Sequence, residues 1–180
     1  LRNGSNHTRG SRERTLDGGL VSAGFRMEPA VYHTLDTFVP LNRYFKADGG
    51  GDYHPEYFAL VDGGRQNLGS STKLSTGDPE VVRVVAENMG NYLDTHPGLD
   101  VINLSPTDMD GFCECSLCTV LDERSADGGV LPTAQRYSRR MWVFYGEVVA
   151  ALRTTHPQAK VAVGAYWQYT VPPRDTTLTM

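Results

Sequence analysis

The chain has 180 residues, enough for one domain with a hydrophobic core, and its apolar fraction of 39% and charged fraction of 21% are those of a globular protein. Its net charge of −4 and its scattered basic residues argue against a nucleic-acid-binding surface. No apolar run approaches the roughly 18 residues of a membrane span. We therefore expect a globular domain that binds neither nucleic acid nor a membrane.

The first half of the chain predicts one strand, one helix and a hairpin. Leu20 to Met27 reads as a strand, and a helix follows over roughly Leu35 to Phe45. Tyr57 to Val61 then leads into Asp62-Gly63-Gly64, a turn sequence. This pattern predicts a small hairpin outside the main sheet.

The second half contains a repeated helix-turn-strand unit. A helix begins at Asp78-Pro79-Glu80, with Asp78 as the expected N-cap, and a second helix runs from about Thr133 to about Thr155. Both helices end at the tripeptide Thr-His-Pro, because proline cannot continue a helix. Short apolar strands follow at 101–104 and 161–164. Such repetition indicates βαβ units and a parallel α/β sheet.

These elements favour a partial (β/α)8 barrel of the TIM type. The chain supplies about three core strands, whereas a whole barrel has eight strands and about 250 residues. We therefore treat residues 1–180 as a single barrel fragment and expect the remaining strands elsewhere in the parent polypeptide. The alternative is a small doubly wound sheet, although no glycine-rich phosphate-binding sequence follows any strand.

The residues after the predicted strands are the candidate site, because the carboxyl ends of parallel strands meet at one edge and form active sites there. Carboxylates exchange protons with glycosidic oxygens, and aromatic rings cover the apolar faces of sugars. The alternative is that the acids only cap turns and the rings only pack in the core. The candidates after the three strands are His33, then Asp108 and Asp110, then Tyr166, Trp167 and Tyr169.

All of the cysteines lie on the loop that follows Asp110. Cys113, Cys115 and Cys118 form a C-x-C-x-x-C pattern, which suits a thiophilic metal such as zinc. No fourth ligand is evident from the sequence. A disulfide with one free thiol and three plain buried cysteines are the alternatives.

Several segments occur in an order that resembles a known family. The chain is similar over about Ala30 to Arg174 to an uncharacterised bacterial family, domain-of-unknown-function family 4838, whose members resemble the barrels of α-glucuronidases and β-hexosaminidases. The segments that carry the resemblance are His54-Pro55-Glu56-Tyr57-Phe58-Ala59-Leu60, Asp78-Pro79-Glu80-Val81, Ser105-Pro106-Thr107-Asp108 with Gly111-Phe112-Cys113-Glu114-Cys115, and Ala165-Tyr166-Trp167 with Pro172-Pro173.

The resemblance implies a barrel within a larger bacterial protein that handles carbohydrate and is periplasmic or secreted. In related glycosidases a catalytic acid follows the fourth strand, which corresponds to Asp108, and a histidine follows the preceding strand, which corresponds to His33. The family usually has a cysteine where this chain has Ser75, so a fourth metal ligand or a disulfide partner is lost here.

The resulting hypothesis is a carbohydrate-active domain that cleaves glycosidic bonds with carboxyl groups. Asp108 is the expected acid, partly shielded from water, with Asp110 and Glu114 as reserves. His33 is expected to bind sugar hydroxyls, and Tyr166 and Trp167 to form a platform. The second carboxylate is expected on a later strand, so the fragment alone would be inactive.

Two other functions remain open at this point. One is a carbohydrate-binding barrel without catalysis, and the other is a metal-dependent hydrolase centred on the cysteine loop.

Overall fold

The computed structural model describes residues 27–28, 33–45, 52–108 and 110–174. In chain order the elements are β1 (Met27–Glu28), α1 (Leu35–Phe38), α2 (Leu41–Tyr44), β2 (Leu60–Val61), β3 (Gly64–Arg65), α3 (Pro79–Thr95), β4 (Val101–Leu104), α4 (Ser116–Thr119), α5 (Ser138–Arg153) and β5 (Val161–Val163). Short 3-10 helices occur at Pro55–Tyr57, Gly69–Ser71, Thr133–Gln135 and Trp167–Tyr169.

The main sheet is parallel and has the strand order β1-β4-β5. Met27 pairs with Val101 at one side of β4, and Ile102 pairs with Val161 at the other. Helix α3 connects the hairpin region to β4, and α5 leads into β5, as the repeated unit predicts. Residues 20–26 of the predicted first strand lie outside the described residues. A parallel sheet of this kind occurs both in fragments of (β/α)8 barrels and in doubly wound domains. The (β/α)8 assignment therefore stays a prediction.

Prolines and turn residues determine the smaller elements. The helix predicted over Leu35 to Phe45 is wrong as a single element, because Pro40 lacks an N–H and divides it into α1 and α2. The predicted hairpin is present as the antiparallel pair of β2 and β3. Helix α5 begins at Ser138, later than predicted, and the residues Thr133–Gln135 form a 3-10 turn.

The two Thr-His-Pro tripeptides follow helix ends that share a threonine–histidine contact but differ in their last backbone hydrogen bond. After α3 the backbone N–H of His96 donates to Leu93 O, and after α5 that of His156 donates to Leu152 O. In each case the threonine hydroxyl lies within hydrogen-bonding distance of the next histidine Nδ1, at 3.1 Å and 2.9 Å. The repeat therefore encodes a helix stop that returns the chain to the sheet.

The core lies between α3, α5 and the parallel sheet. Asp78 caps α3 by accepting a hydrogen bond of 2.9 Å from the Glu80 N–H, as predicted. Each large apolar side chain that is buried stabilises the fold by about 1.5–3 kcal/mol. The central ones are Val81, Val85, Met89, Ile102, Leu104, Met141, Phe144, Val148 and Leu152. Among the described helices, none combines the length and apolar character needed to cross a bilayer.

Candidate functional site

The segment after β1 is joined to the segment after β4 by paired hydrogen bonds. The Thr34 N–H donates to Ser105 O at 2.9 Å, and the Ser105 N–H donates to Thr34 Oγ1 at 2.8 Å. Both residues are buried. This pairing places His33, the residue before Thr34, at the carboxyl end of the sheet.

The segment after β5 is joined to the same loop through a side-chain contact. Gln168 is buried, and its Nε2 donates to Asp110 Oδ1 at 2.7 Å. The segments that follow all three parallel strands are therefore connected at one edge. Asp108, Asp110, Tyr166 and Trp167 all lie on the connected segments.

Two residues of this edge have an unusual backbone conformation. His33 has a φ of 61° and Trp167 a φ of 41°, in the left-handed region that favours glycine. Such conformations store strain, and they cluster at functional sites, where the surrounding structure enforces them. His33 follows β1 and Trp167 follows β5, so both conformations occur at the strand ends.

The aromatic residues of this edge differ in exposure. Tyr166 and Trp167 are 43% and 46% exposed, so their rings are available to a ligand. Tyr169 is buried, and its ring meets Phe112 edge-on at a centroid distance of 6.1 Å. Burial, with Asp108 and Tyr166 nearby, raises the pKa of Tyr169 above its usual range. Tyr169 therefore packs beneath the site and does not offer its ring to solvent.

The three candidate carboxylates also have different surroundings. Asp108 is exposed, so the expectation that it is partly shielded from water is wrong for this chain. Asp110 is also exposed, but its Oδ1 accepts a hydrogen bond from Gln168 Nε2. Glu114 accepts a hydrogen bond of 2.9 Å from the Asp62 N–H, which ties it to the β2-β3 hairpin. Asp108 and Asp110 thus belong to the connected edge, and Glu114 supports the hairpin.

Lys73 is a residue of this region that the sequence did not single out. It is only 4% exposed, and its Nζ donates to Thr107 O at 2.5 Å. Burial lowers the pKa of Lys73 to about 8, and the charges of Asp108 and Asp110 oppose that shift. Its sequence context, Thr72-Lys73-Leu74, has no pattern that predicts a buried cation.

Phe112, on the loop after β4, lies near two buried cations that belong to other parts of the chain, Lys73 and Arg140. Lys73 Nζ lies 4.5 Å from the centroid of its ring, and the guanidinium carbon of Arg140 lies 6.0 Å from it. The ring of Tyr137 stacks on Phe112 at 4.0 Å. Arg140 also pairs with both oxygens of Asp122 and donates to Cys113 O at 2.8 Å. The loop from 105 to 122 is thereby fixed at several points.

The three cysteines form a compact cluster on this loop. The Sγ atoms of Cys113, Cys115 and Cys118 all lie within 4.8 Å of one another, and all three are free thiols. Ser75 Oγ lies 3.4 Å from Cys115 Sγ and 3.6 Å from the other two sulfurs. The prediction that the cysteines lie close together is confirmed, and the group can hold a metal ion.

Backbone donors favour a thiolate in this cluster. The Leu60 N–H donates to Cys113 Sγ at 3.3 Å, and the Gly77 N–H donates to Cys118 Sγ at 3.2 Å. A hydrogen bond from Cys118 is the largest cause that lowers the pKa of Cys113, and the same contact raises the pKa of Cys118. The pair therefore loses its first proton readily, which suits metal binding, because the thiolate is the metal ligand.

Gly77 allows the segment that carries Ser75 to approach the cluster. A Cβ atom at position 77 would lie 2.2 Å from Leu117 O and 2.8 Å from Cys118 Cα. Both are backbone atoms of the cysteine loop, which cannot move aside as a side chain can. Only glycine fits this contact, so the position of Ser75 beside the sulfurs depends on Gly77.

Fold and site together define a parallel α/β domain with carboxylates and exposed aromatic rings at its strand ends and a thiol cluster on the same loop. A model of the family described as Domain of unknown function (DUF4838) matches residues 5–179, and the chain belongs to this family. No curated protein and no solved structure matches the chain. The predicted family membership is confirmed, and the similarity to α-glucuronidase and β-hexosaminidase barrels stays a prediction.

Proposed function

We propose that the chain is a carbohydrate-active domain of the glycoside-hydrolase barrel type, with its site at the carboxyl ends of the parallel strands. The observation that supports this proposal most is the connection of the three strand-following segments. The Thr34–Ser105 and Asp110–Gln168 hydrogen bonds hold them at one edge. Carboxylates and exposed aromatic rings at such an edge suit a saccharide.

Asp108 is the group that we propose as the general acid. Glycoside hydrolysis needs a second carboxyl group about 5–10 Å from the acid, which acts as nucleophile or base. Asp110 and Asp108 are both exposed, but Asp110 has one oxygen hydrogen-bonded to Gln168. A general acid works best when it is shielded from water. We therefore propose that the bound sugar, or further strands of the parent polypeptide, cover Asp108 during turnover.

The aromatic residues would form the binding platform. Tyr166 and Trp167 stand at the end of β5 with their side chains partly exposed. The flat face of each ring can cover the C–H groups of a pyranose, and the tyrosine hydroxyl can bind a sugar hydroxyl. His33, at the end of β1, would bind further hydroxyls.

The test is turnover of the full-length polypeptide on aryl glycosides of neutral, acidic and N-acetylated sugars. Asp108→Asn should leave folding intact and reduce turnover by about 10²- to 10⁴-fold, the usual size of a general acid-base contribution. Glu147→Gln, on the exposed side of α5, is the matched control and should leave turnover unchanged. If Asp108→Asn, Asp110→Asn and Glu114→Gln all turn over normally, catalysis does not belong to this loop.

A carbohydrate-binding barrel without catalysis is the nearest alternative. It predicts that the same residues bind saccharide in the full-length polypeptide and that no glycoside is turned over. Binding would then weaken in a Trp167→Ala variant and remain in Asp108→Asn.

The cysteine cluster supports a second proposal, a zinc centre with a structural role. Three thiolates suit zinc, which usually has four ligands in a structural centre. Ser75 Oγ lies next to all three sulfurs, where a fourth ligand would be expected. Cys113 and Cys118 are buried, which favours a closed structural centre over a catalytic one open to substrate. The ion would hold the loop that carries Asp108 and Asp110.

Metal analysis with cobalt substitution tests the zinc proposal. The purified chain should contain one zinc per molecule, and the cobalt form should show thiolate-to-cobalt charge-transfer absorption. Cys115→Ser should lose both signals, whereas Ser116→Ala, the neighbouring exposed position, should keep them. Zinc at far less than one per molecule, unchanged by Cys115→Ser, would contradict the proposal. Activity that is lost to a chelator while the fold persists would favour the metal-dependent hydrolase instead.

A further inference from the structure

A cleft of about 240 Å³, which we call the 122–137 cleft, lies between the 122–130 segment and the start of α5. Its volume is a little below the roughly 300–1,000 Å³ of sites for drug-sized molecules, so it suits a smaller ligand. Neither the proposed carbohydrate chemistry nor the cysteine cluster uses its lining residues. They are Asp122, Glu123, Arg124, Val130, Arg136 and Tyr137.

The two acids of the 122–137 cleft are engaged by other parts of the chain. Arg140 donates to both carboxylate oxygens of Asp122. Both oxygens of Glu123 accept hydrogen bonds from the Arg174 N–H, at 2.9 Å and 3.1 Å. These carboxylates are therefore directed to Arg140 and Arg174, and not to the arginines that line the cleft.

The two arginines of the cleft have no carboxylate partner within the described part of the chain. Arg136 is partly buried, and its Nε is shielded from water without a hydrogen-bond acceptor among the described residues. Arg124 is exposed on the opposite side of the cleft sequence, in the 122–130 segment. A partly buried guanidinium without a partner is costly, and an anion that pairs with it reduces that cost.

The local charge also favours an anion. Four arginines and two acids lie in or directly against the cleft, which gives this region a charge of +2 in a chain whose net charge is −4. The nearby Asp127 does not line the cleft, and its Oδ1 accepts hydrogen bonds from Ser125 Oγ and the Gly129 N–H. The four arginines are Arg124, Arg136, Arg140 and Arg174.

Both walls of the cleft are held in place by contacts within the protein. A β-bridge between Arg124 and Val130 closes the turn on one side. On the other side the ring of Tyr137 stacks on Phe112 at 4.0 Å, and the Tyr137 N–H donates to Gln168 O at 3.1 Å. Val130 is 61% exposed and therefore offers an apolar surface beside the arginines.

We propose that the 122–137 cleft binds a small organic oxyanion, with its anionic group at Arg124 and Arg136 and its apolar part on Val130 and Tyr137. A guanidinium presents a planar fork of donors that matches the oxygens of a carboxylate or a phosphate. The shared chemistry of the ligand is thus an oxyanion on a small apolar body. The proposal does not depend on the carbohydrate chemistry at the strand ends.

NMR titration of the chain with three probes of similar shape tests the proposal. Benzoate and phenyl phosphate carry the two kinds of oxyanion, and benzamide is the neutral counterpart of benzoate. At least one of the two anions should cause saturable shifts in the signals of Arg124, Arg136 and Tyr137, and the anion that binds more tightly identifies the preferred group. Benzamide should cause no saturable shift, because it lacks the charge that the arginines recognise.

Arginine variants then show whether the cleft itself binds the anion. Arg124→Gln and Arg136→Gln should each weaken binding by about tenfold or more, as the loss of a charge-assisted hydrogen bond does. Arg153→Gln, exposed at the end of α5, removes the same charge elsewhere and should leave the affinity unchanged. Since Arg124 is exposed, its variant keeps the test valid if Arg136→Gln unfolds.

Three results would overturn the proposal. They are the absence of saturable shifts at Arg124 and Arg136 with both anions, equally tight binding of benzamide, and a loss of affinity in Arg153→Gln as large as that in Arg124→Gln. None of these results depends on saccharide binding or turnover, so they leave the proposed function to its own test.

Discussion

The ion pair between Arg140 and Asp122 gives the most quantitative prediction for the loop that carries the site. The Arg140 side chain is 1% exposed and that of Asp122 is 17% exposed, and Arg140 Nε donates to Asp122 Oδ1 at 2.8 Å. Asp122→Asn removes the charge that compensates a buried guanidinium. Breaking a buried pair in this way typically costs about 3–5 kcal/mol. Asp122 is partly exposed, and Arg140 keeps its hydrogen bond to Cys113 O. We therefore expect Asp122→Asn to lower the free energy of unfolding by about 3 kcal/mol, at the low end of that range.

Chemical and thermal unfolding of the chain measure this cost. For a domain of this size about 3 kcal/mol corresponds to a fall in Tm of about 6–12 °C. The exposed pair of Arg43 and Asp52, with side chains 54% and 56% exposed, is the matched control. Asp52→Asn should cost less than about 1 kcal/mol, as exposed pairs do. If Asp122→Asn costs no more than Asp52→Asn, the anchoring of the loop by Arg140 is wrong.

Two further predictions concern Lys73 and Gly77. Burial lowers the pKa of Lys73 from 10.5 to about 8, so between these values the unfolded chain binds more protons and the folded state gains stability as pH rises. The free energy of unfolding of the unchanged chain, minus that of Lys73→Met, should therefore increase by about 3 kcal/mol from pH 8 to pH 10.5. A difference that stays constant over this pH range would contradict the burial of the ammonium group. Gly77→Ala places a Cβ 2.2 Å from Leu117 O and should push the Ser75 segment away from the cysteines. The cysteines should then react faster with a thiol reagent, and the free energy of unfolding should fall by about 1–3 kcal/mol. Gly64→Ala, where a Cβ meets only Val61 O at 3.8 Å, is its control, and equal thiol reactivity in the two variants would refute the role of Gly77.

The regular parts of the fold were predictable because their signals are local. Asp78-Pro79 marks the start of α3, and each Thr-His-Pro tripeptide marks the return from a helix to a parallel strand. The one helix predicted before residue 46 was wrong because the break at Pro40 outweighs the apolar pattern on both sides of it.

The candidate site was predictable only in part, because much of it depends on contacts between distant segments. The C-x-C-x-x-C spacing predicts that the sulfurs lie together, since they share one short loop. The place of Lys73 beside Thr107 and that of Gln168 beside Asp110 arise from tertiary packing and leave no pattern in the sequence. For Tyr169 the sequence suggested a role that its packing does not favour. Its position after β5 suggested contact with a ligand, but its ring is buried against Phe112.

The most direct test of the central claim is saccharide binding observed through Trp167. The chain has two tryptophans, so Trp142→Phe leaves Trp167, which is 46% exposed at the end of β5, as the remaining indole fluorophore. Oligosaccharides of neutral, acidic and N-acetylated sugars are titrated into this variant of the chain. A carbohydrate site at the strand ends predicts a saturable change in Trp167 emission with at least one sugar class, weakened by Tyr166→Ala. Emission that stays unchanged with every sugar class would contradict a carbohydrate site at this edge of the chain.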